Sequence, residues 1–147
     1  MVIGPDPFDP AKETDAVRRA SGDAGGMVCF TGLVRGEGDG VALELQHHPT
    51  FTQKVIAGMA RAAAERWSLS ALRVLHRTGR MGPGEAIVFV GAASRHRRDA
   101  FLAADSLMDD LKTRAPFWKR EHRGGETRWI EPRPEDYSDA ERWSETA

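Results

Sequence analysis

Leu111-Lys-Thr-Arg-Ala-Pro-Phe-Trp-Lys-Arg-Glu121 holds the change of direction from which the fold can be read. Upstream, Ala100, Phe101, Ala104, Leu107, Met108 and Leu111 recur at helical spacing. The spacing predicts a helix from about Arg97 to Arg114 with that stripe buried. Pro116 stops it, because proline disfavours a helical Ala115. Downstream, Phe117 to His122 and Thr127 to Glu131 flank Gly124-Gly125, a hairpin signal. Lys112 therefore sits in the last turn of a helix and Lys119 in an extended segment beyond the proline.

Working back toward the N-terminus, Glu85 to Ala93 is an apolar run after the turn Gly82-Pro83-Gly84, and reads as a central strand. Leu72 to Arg77 is a further strand. Val55, Ile56, Met59, Ala60, Ala63 and Trp67 form the stripe of a helix that Thr50 or Thr52 can cap. Val41 to His48 alternates, with Val41, Leu43, Leu45 and His47 on one face. Gly36 to Gly40 is a flexible connection, and Met27 to Arg35 is a strand with Val28, Phe30 and Val34 on one side. Asp9-Pro10 opens a helix to about Arg19, and Val2-Ile3 is a short first strand. Strands and helices mix without regular β-α-β alternation, so the class is α+β with a largely antiparallel sheet and about three helices. One domain over residues 1–131 is expected. Residues 132–147 read as a loose polar tail in which Trp143 docks.

The net charge is −1, which argues against a general nucleic-acid or membrane binder. The total hides an island: residues 94–123 hold eight Lys or Arg against five Asp or Glu. A local cationic patch on an otherwise acidic chain suits one anion better than a long polyanion. Cys29 is the single cysteine, so neither an internal disulfide nor a cysteine-based zinc site is expected, and no metal or other cofactor is implied. The N-terminus lacks a basic region followed by an apolar stretch, and the longest apolar run, Ala86 to Ala93, is too short to span a bilayer. A cytoplasmic location is expected.

Crowding Lys112, Arg114, Lys119 and Arg120 makes each ammonium costlier to keep charged. That lowers a lysine's pKa, the usual route to a lysine nucleophile or base. The bland reading is that Lys112 and Arg114 answer the helix macrodipole. Ser94-Arg-His-Arg-Arg98 opens the helix whose N–H groups already favour anions, and His96 and Arg97 add donors for a phosphate or carboxylate. Arg35 ends a strand beside the glycine-rich connection. His47 and His48 point to opposite faces, so they make poor joint metal ligands, and His76 has no partner at ligand spacing.

Phe30-Thr-Gly-x-Val-Arg35, Ser94-x-His-Arg97 and above all Met108-Asp-x-Leu-Lys-Thr-Arg-Ala-Pro-Phe-Trp-Lys-Arg-Glu121 resemble the large, catalytic subunit of molybdopterin synthase. His76-Arg-x-Gly79 and Gly84-Glu-x-Ile-Val-Phe-Val-Gly91 match as well, and the likeness runs from about Ile3 to Trp143. The resemblance implies an α/β-hammerhead fold with a C-terminal hairpin. It also implies a homodimer that binds two small ubiquitin-like sulfur carriers, each ending in Gly-Gly, to form a heterotetramer. The implied reaction is sulfur transfer from the carrier's C-terminal thiocarboxylate to cyclic pyranopterin monophosphate, giving the dithiolene of molybdopterin. Lys112 and Lys119 would be the catalytic pair, with Lys119 meeting the carrier's terminus. Arg35, His96 and Arg97 would bind the substrate phosphate, the last two from the neighbouring subunit. Phe30 and Met108 would line the pocket, and Arg120 and Glu121 would flank it in substrate binding. Leu33 stands where the family often has Lys, and Gln46 and His48 where Glu and Tyr are common.

Two other readings share these features. One is a module that grips a protein tail or an anionic metabolite without chemistry. The other is a single-stranded nucleic-acid binder using Phe117 and Trp118, against which the acidic remainder of the chain speaks.

Overall fold

A computed structural model describes residues 1–38 and 40–144. Residue 39 of the expected flexible connection and residues 145–147 of the expected tail lie outside the described residues. The elements run β1 (Val2–Gly4), α1 (Pro10–Ala20), β2 (Gly26–Leu33), β3 (Ala42–His47), α2 (Phe51–Arg66) and β4 (Ala71–Arg77). Then follow β5 (Gly79–Met81), β6 (Ala86–Ser94), α3 (Arg97–Thr113), β7 (Phe117–Arg123), β8 (Glu126–Ile130) and α4 (Pro134–Glu141).

The strands form two four-stranded sheets, ordered β1-β4-β6-β2 and β5-β3-β7-β8. Among the described residues only the β1–β4 pairing is parallel. The α+β, mostly antiparallel class is as expected, and the hammerhead description fits. The hairpin is not an appendage: β7 pairs with β3 and carries β8 as its outer neighbour.

β6 is central, as its apolar run predicts, and Phe89, Val90, Ala92 and Ala93 are wholly buried. α3 packs on this sheet through Ala100, Ala103, Ala104, Leu107 and Leu111, whose small side chains allow a close approach. Phe101 belongs to the predicted stripe by spacing but is exposed, because Ala103 turns to the sheet instead. Phe30 is exposed too, on the edge strand β2. Asp9 caps α1, its side chain accepting from the Ala11 amide. In the hairpin, Gly124 and Gly125 both have positive φ, 57° and 84°, the conformation a tight primed turn requires.

Three further differences have physical reasons. The α2 N-terminus is not capped by a threonine side chain. His48 Nδ1 accepts from the amides of Thr50 (3.3 Å) and Phe51 (3.0 Å). β5 is too short to show a period, and its register comes from β3. The segment expected to be loose after Pro132 instead forms α4. Pro134 fills its first turn, and the Asp136 carboxylate accepts from the Arg133 amide at 2.9 Å and from its guanidinium at 3.1 Å. Trp143 docks as expected, edge-on to Trp67 at 5.7 Å and donating to Asp109 at 2.6 Å. Among the described residues no helix is long and apolar enough to cross a membrane.

Candidate functional site

α3 delivers Lys112 and β7 delivers Lys119 to the same place. The two line a concavity of about 430 Å³, together with Arg35, Glu121 and Arg123 and an apolar wall that includes Leu33, Leu43 and Ile87. An adjoining recess of about 260 Å³ is shared by Arg35, Lys112, Lys119 and Phe117, and is closed by Arg133, Asp136 and Tyr137 of the α4 segment. Strand alternation explains the selection from β7: Phe117, Lys119 and Glu121 face the site, and the residues between them face away.

The electrostatics single out Lys119. Burial, and next the nearby charge of Lys112, bring its ammonium down from 10.5 to about 8, with Asp136 acting the other way. An amine in that range exchanges its proton near neutral pH, where an ordinary lysine does not. Burial works to raise the Asp136 carboxyl, but hydrogen bonds from the Arg133 side chain and backbone, with the charge of Lys112, hold it below its usual range. Glu121 is held down first by a hydrogen bond from Arg123 and further by one from Arg128. Cys29 is a poor nucleophile, since burial pushes its thiol up.

The remaining expected site residues are distributed unevenly. Phe30 and Met108 line a groove that Lys112, Arg133 and Asp136 share, so they border the lysine site. Arg120 lies on the opposite face of β7. It donates to Glu44 at 3.2 Å and covers the Trp129 ring at 4.9 Å, so sequence adjacency to Lys119 does not bring it into the pocket. His96 and Arg97 form a separate recess with Gly25, Arg95 and Arg98. They sit at the far end of α3, about 22 Å along the axis from Lys112 at 1.5 Å per residue. Within one chain they do not reach the lysines.

Of the departures, Leu33 lines the main concavity with an apolar side chain. Gln46 reaches Glu44 at 3.4 Å, and His48 is occupied in capping α2. Among the described residues no cluster of three or more His, Cys, Asp or Glu is placed to hold a metal.

Sequence reasoning missed Arg133, Asp136 and Tyr137. The signal was there: Arg133-Pro-Glu-Asp136 is a helix start, with proline at the first position and acids in the first turn. It also missed that His76 is buried and stacked on Phe117, with ring centroids 4.1 Å apart. Burial, with the Lys119 and Lys112 charges as lesser contributors, brings His76 down to about 4, so its ring is neutral.

Comparison with known proteins places this geometry in context. The model of one protein family, described as MoaE protein, matches residues 3–114. The molybdopterin synthase catalytic subunit of Caulobacter vibrioides is 46% identical over 142 residues, covering 96% of this chain and 95% of that one. Among solved structures, molybdopterin cofactor biosynthesis protein E from Burkholderia multivorans superposes with a TM-score of 0.82 at 37% identity, covering 98% and 96% of the two chains. A Helicobacter pylori structure, a protein–protein complex of subunits 1 and 2 of molybdopterin-converting factor, shares the fold. Its TM-score is 0.76 at 18% identity, over 90% of this chain and 91% of that one.

Proposed function

We propose that this chain, which belongs to the MoaE protein family, is the catalytic subunit of a molybdopterin synthase. It is a sulfurtransferase of molybdenum cofactor biosynthesis. It takes one sulfur from the C-terminal thiocarboxylate of each of two successive small ubiquitin-like carriers and delivers both to cyclic pyranopterin monophosphate, forming the dithiolene and leaving each carrier as its carboxylate. The observation that carries this reading is Lys119: a half-buried amine brought down to about 8, set beside Lys112 and Arg35 in one concavity.

Each residue type suits a step. The carrier's terminus and the substrate phosphate are both anions, and the site offers them cationic donors in partly dry surroundings. Lys119 meets the thiocarboxylate, where an amine poised near pH 8 can hold the anion as ammonium or take up a proton when neutral. Lys112 binds substrate or relays a proton, and Arg35 holds the phosphate. The apolar wall of Leu33, Leu43 and Ile87 excludes water from the thiocarboxylate and suits a narrow glycine tail. Phe30 and Met108 border the pterin side, and Glu121 orients Arg123 at the rim.

His96 and Arg97 enter through a second copy. Their distance from Lys112 along α3 supports a role across a subunit boundary, where a homodimer would bring them to the partner's lysine site. With one carrier bound at each end, the assembly is a heterotetramer.

The test is single-turnover product formation with thiocarboxylated carrier and cyclic pyranopterin monophosphate. Lys119→Ala is expected to abolish the dithiolene product while the complex with the carrier persists in gel filtration. Undiminished product in that variant refutes the mechanism. A parent chain that binds carrier and pterin but makes no product would identify a binding module instead.

A further inference from the structure

The two lysines are separated by a turn, and two buried side chains outside the pocket grip that turn. Thr52, in the first turn of α2, is 0% exposed. Its Oγ1 accepts from the His48 amide at 3.0 Å and donates to the Pro116 carbonyl at 3.0 Å. One hydroxyl thus ties the end of β3 and the start of α2 to the proline between Lys112 and Lys119. The next residue is held separately. The Phe117 ring stacks on His76 of β4, with centroids 4.1 Å apart and planes at 27°. His76 is buried in turn, and its Nδ1 donates to the Arg77 carbonyl at 3.0 Å, which fixes the ring. Phe117 begins β7 with its amide donating to the Ala115 carbonyl at 2.8 Å. Lys119 follows two residues on, on the same face as Phe117.

We propose that Thr52 and His76 are positioning residues for the sulfur-transfer reaction: the hydroxyl on the Pro116 carbonyl and the imidazole against Phe117 fix the turn that sets Lys119 against Lys112. The inference rests on the reading of Lys119 as the reacting amine. Its physical ground is that the ladder alone is insufficient. β7 pairs with β3 from Phe117 opposite His47 onward, which fixes the height of Lys119 within its own sheet. It leaves open how that sheet lies against the end of α3. Thr52 comes from α2 and His76 from the other sheet, so together they connect the three bodies whose relative placement sets the lysine pair. A misplacement of about 1 Å in such a constellation costs on the order of a hundredfold in rate.

Burial of Thr52 and His76 would also follow from a packing role alone, so the test uses variants that keep volume. Thr52→Val keeps the side-chain volume and removes the hydroxyl; Thr52→Ser keeps the hydroxyl. His76→Leu keeps apolar bulk and removes the stack. The readouts are three. The first is the pH midpoint of Lys119 labelling by acetic anhydride, read by peptide mass spectrometry. The second is kcat and KM for the pterin substrate, and the third is the thermal midpoint. The charged groups around Lys119 are Lys112 on α3, Arg133 and Asp136 at the start of α4, Glu131 after β8, Arg35 after β2, and Glu121 and Arg123 on its own strand. All are unchanged in these variants, and His76, which His76→Leu removes, is neutral where Lys119 titrates.

Thr52→Val and His76→Leu are expected to raise the Lys119 midpoint by about one pH unit or more, as the amine moves toward water and away from Lys112. They lower kcat about ten- to a hundredfold with KM changed less than about threefold. Thr52→Ser restores both. A folded Thr52→Val with unchanged midpoint and kcat, whatever its thermal midpoint, overturns the role of Thr52, and the same result in His76→Leu overturns that of His76. If Thr52→Val does not fold, Thr52→Ala, which also lacks the hydroxyl, takes its place with the same readouts and the same overturning result. Failure of the functional reading looks different: Lys119→Ala would then retain product, while the labelling midpoint would still report whether the turn is held.

Discussion

Replacing Lys119 with methionine should make the protein more stable while destroying its activity. The folded chain holds this amine at about 8 against an ordinary 10.5, chiefly through burial and then through Lys112. At about 1.4 kcal/mol per pH unit, keeping the ammonium charged in the fold costs on the order of 3 kcal/mol at neutral pH. Methionine keeps the unbranched apolar stem and drops the charge. The sign follows from proton binding. Between about 8 and 10.5 the unfolded chain still carries the lysine proton and the folded chain has released it. The parent therefore gains stability as pH rises through that window, and none from this group below it. The advantage of Lys119→Met should be largest below pH 8 and vanish by about 10.5. Urea unfolding of both proteins at pH 7, 9 and 10.5 measures it, and other titrating groups cancel in the difference. We expect the variant to be about 1–3 kcal/mol more stable at pH 7, and roughly 2–4 °C higher in melting temperature for each kcal/mol. A variant less stable than the parent at pH 7, or a difference that does not change with pH, would refute the reasoning.

Two further outcomes test the frame around the site. His76 is brought down to about 4 from 6.5 by burial, so its contribution is complete above pH 6.5 and is lost as pH falls toward 4. The acid-side fall in parent stability over that window should be shallower in His76→Phe, by up to about 3 kcal/mol at pH 4; identical slopes in urea titrations would count against a buried neutral imidazole. At Gly91 on β6, an added Cβ would meet Val17 at 2.6 Å and the Phe89 ring at 3.0 Å. Gly91→Ala should therefore cost about 1–3 kcal/mol as α1 is pushed off the sheet, and an unchanged melting curve would show that contact to be soft.

The parts of the fold that could be read in advance are those with a period or a punctuation mark. α3 announced itself by its stripe and by Pro116, β6 by an apolar run, and the β7–β8 turn by two glycines. Phe101 satisfies the same spacing and is nevertheless exposed, because the spacing gives a face and not its edges. α4 escaped because its first turn is polar; its apolar anchor, Trp143, lies beyond its end and finds Trp67 only in three dimensions. The division into two sheets depends on β3 turning from β2 toward β7, a long-range choice that no local pattern encodes. The lysine site was legible because helix end, proline and strand are sequential. Arg120 was not, since neighbours on a strand point apart. Thr52 and His76 approach the same turn from residues 64 and 41 positions away.

The charge arrangement bears on why such a site needs a visitor. Lys112, Lys119 and Arg35 share one concavity, and the acids nearest them already have partners: Asp136 with Arg133, Glu121 with Arg123 and Arg128. The free protein thus gathers positive charge that its own carboxylates answer only in part, and burial, with the charge of Lys112 second, brings Lys119 down to about 8. An anion entering the concavity supplies what is missing, and in doing so it favours the ammonium form that the empty site disfavours. Binding a thiocarboxylate therefore makes the site take up a proton, and losing that anion makes the site release it. The cost of holding Lys119 in a dry place is what makes its protonation respond to whether the carrier's terminus is present.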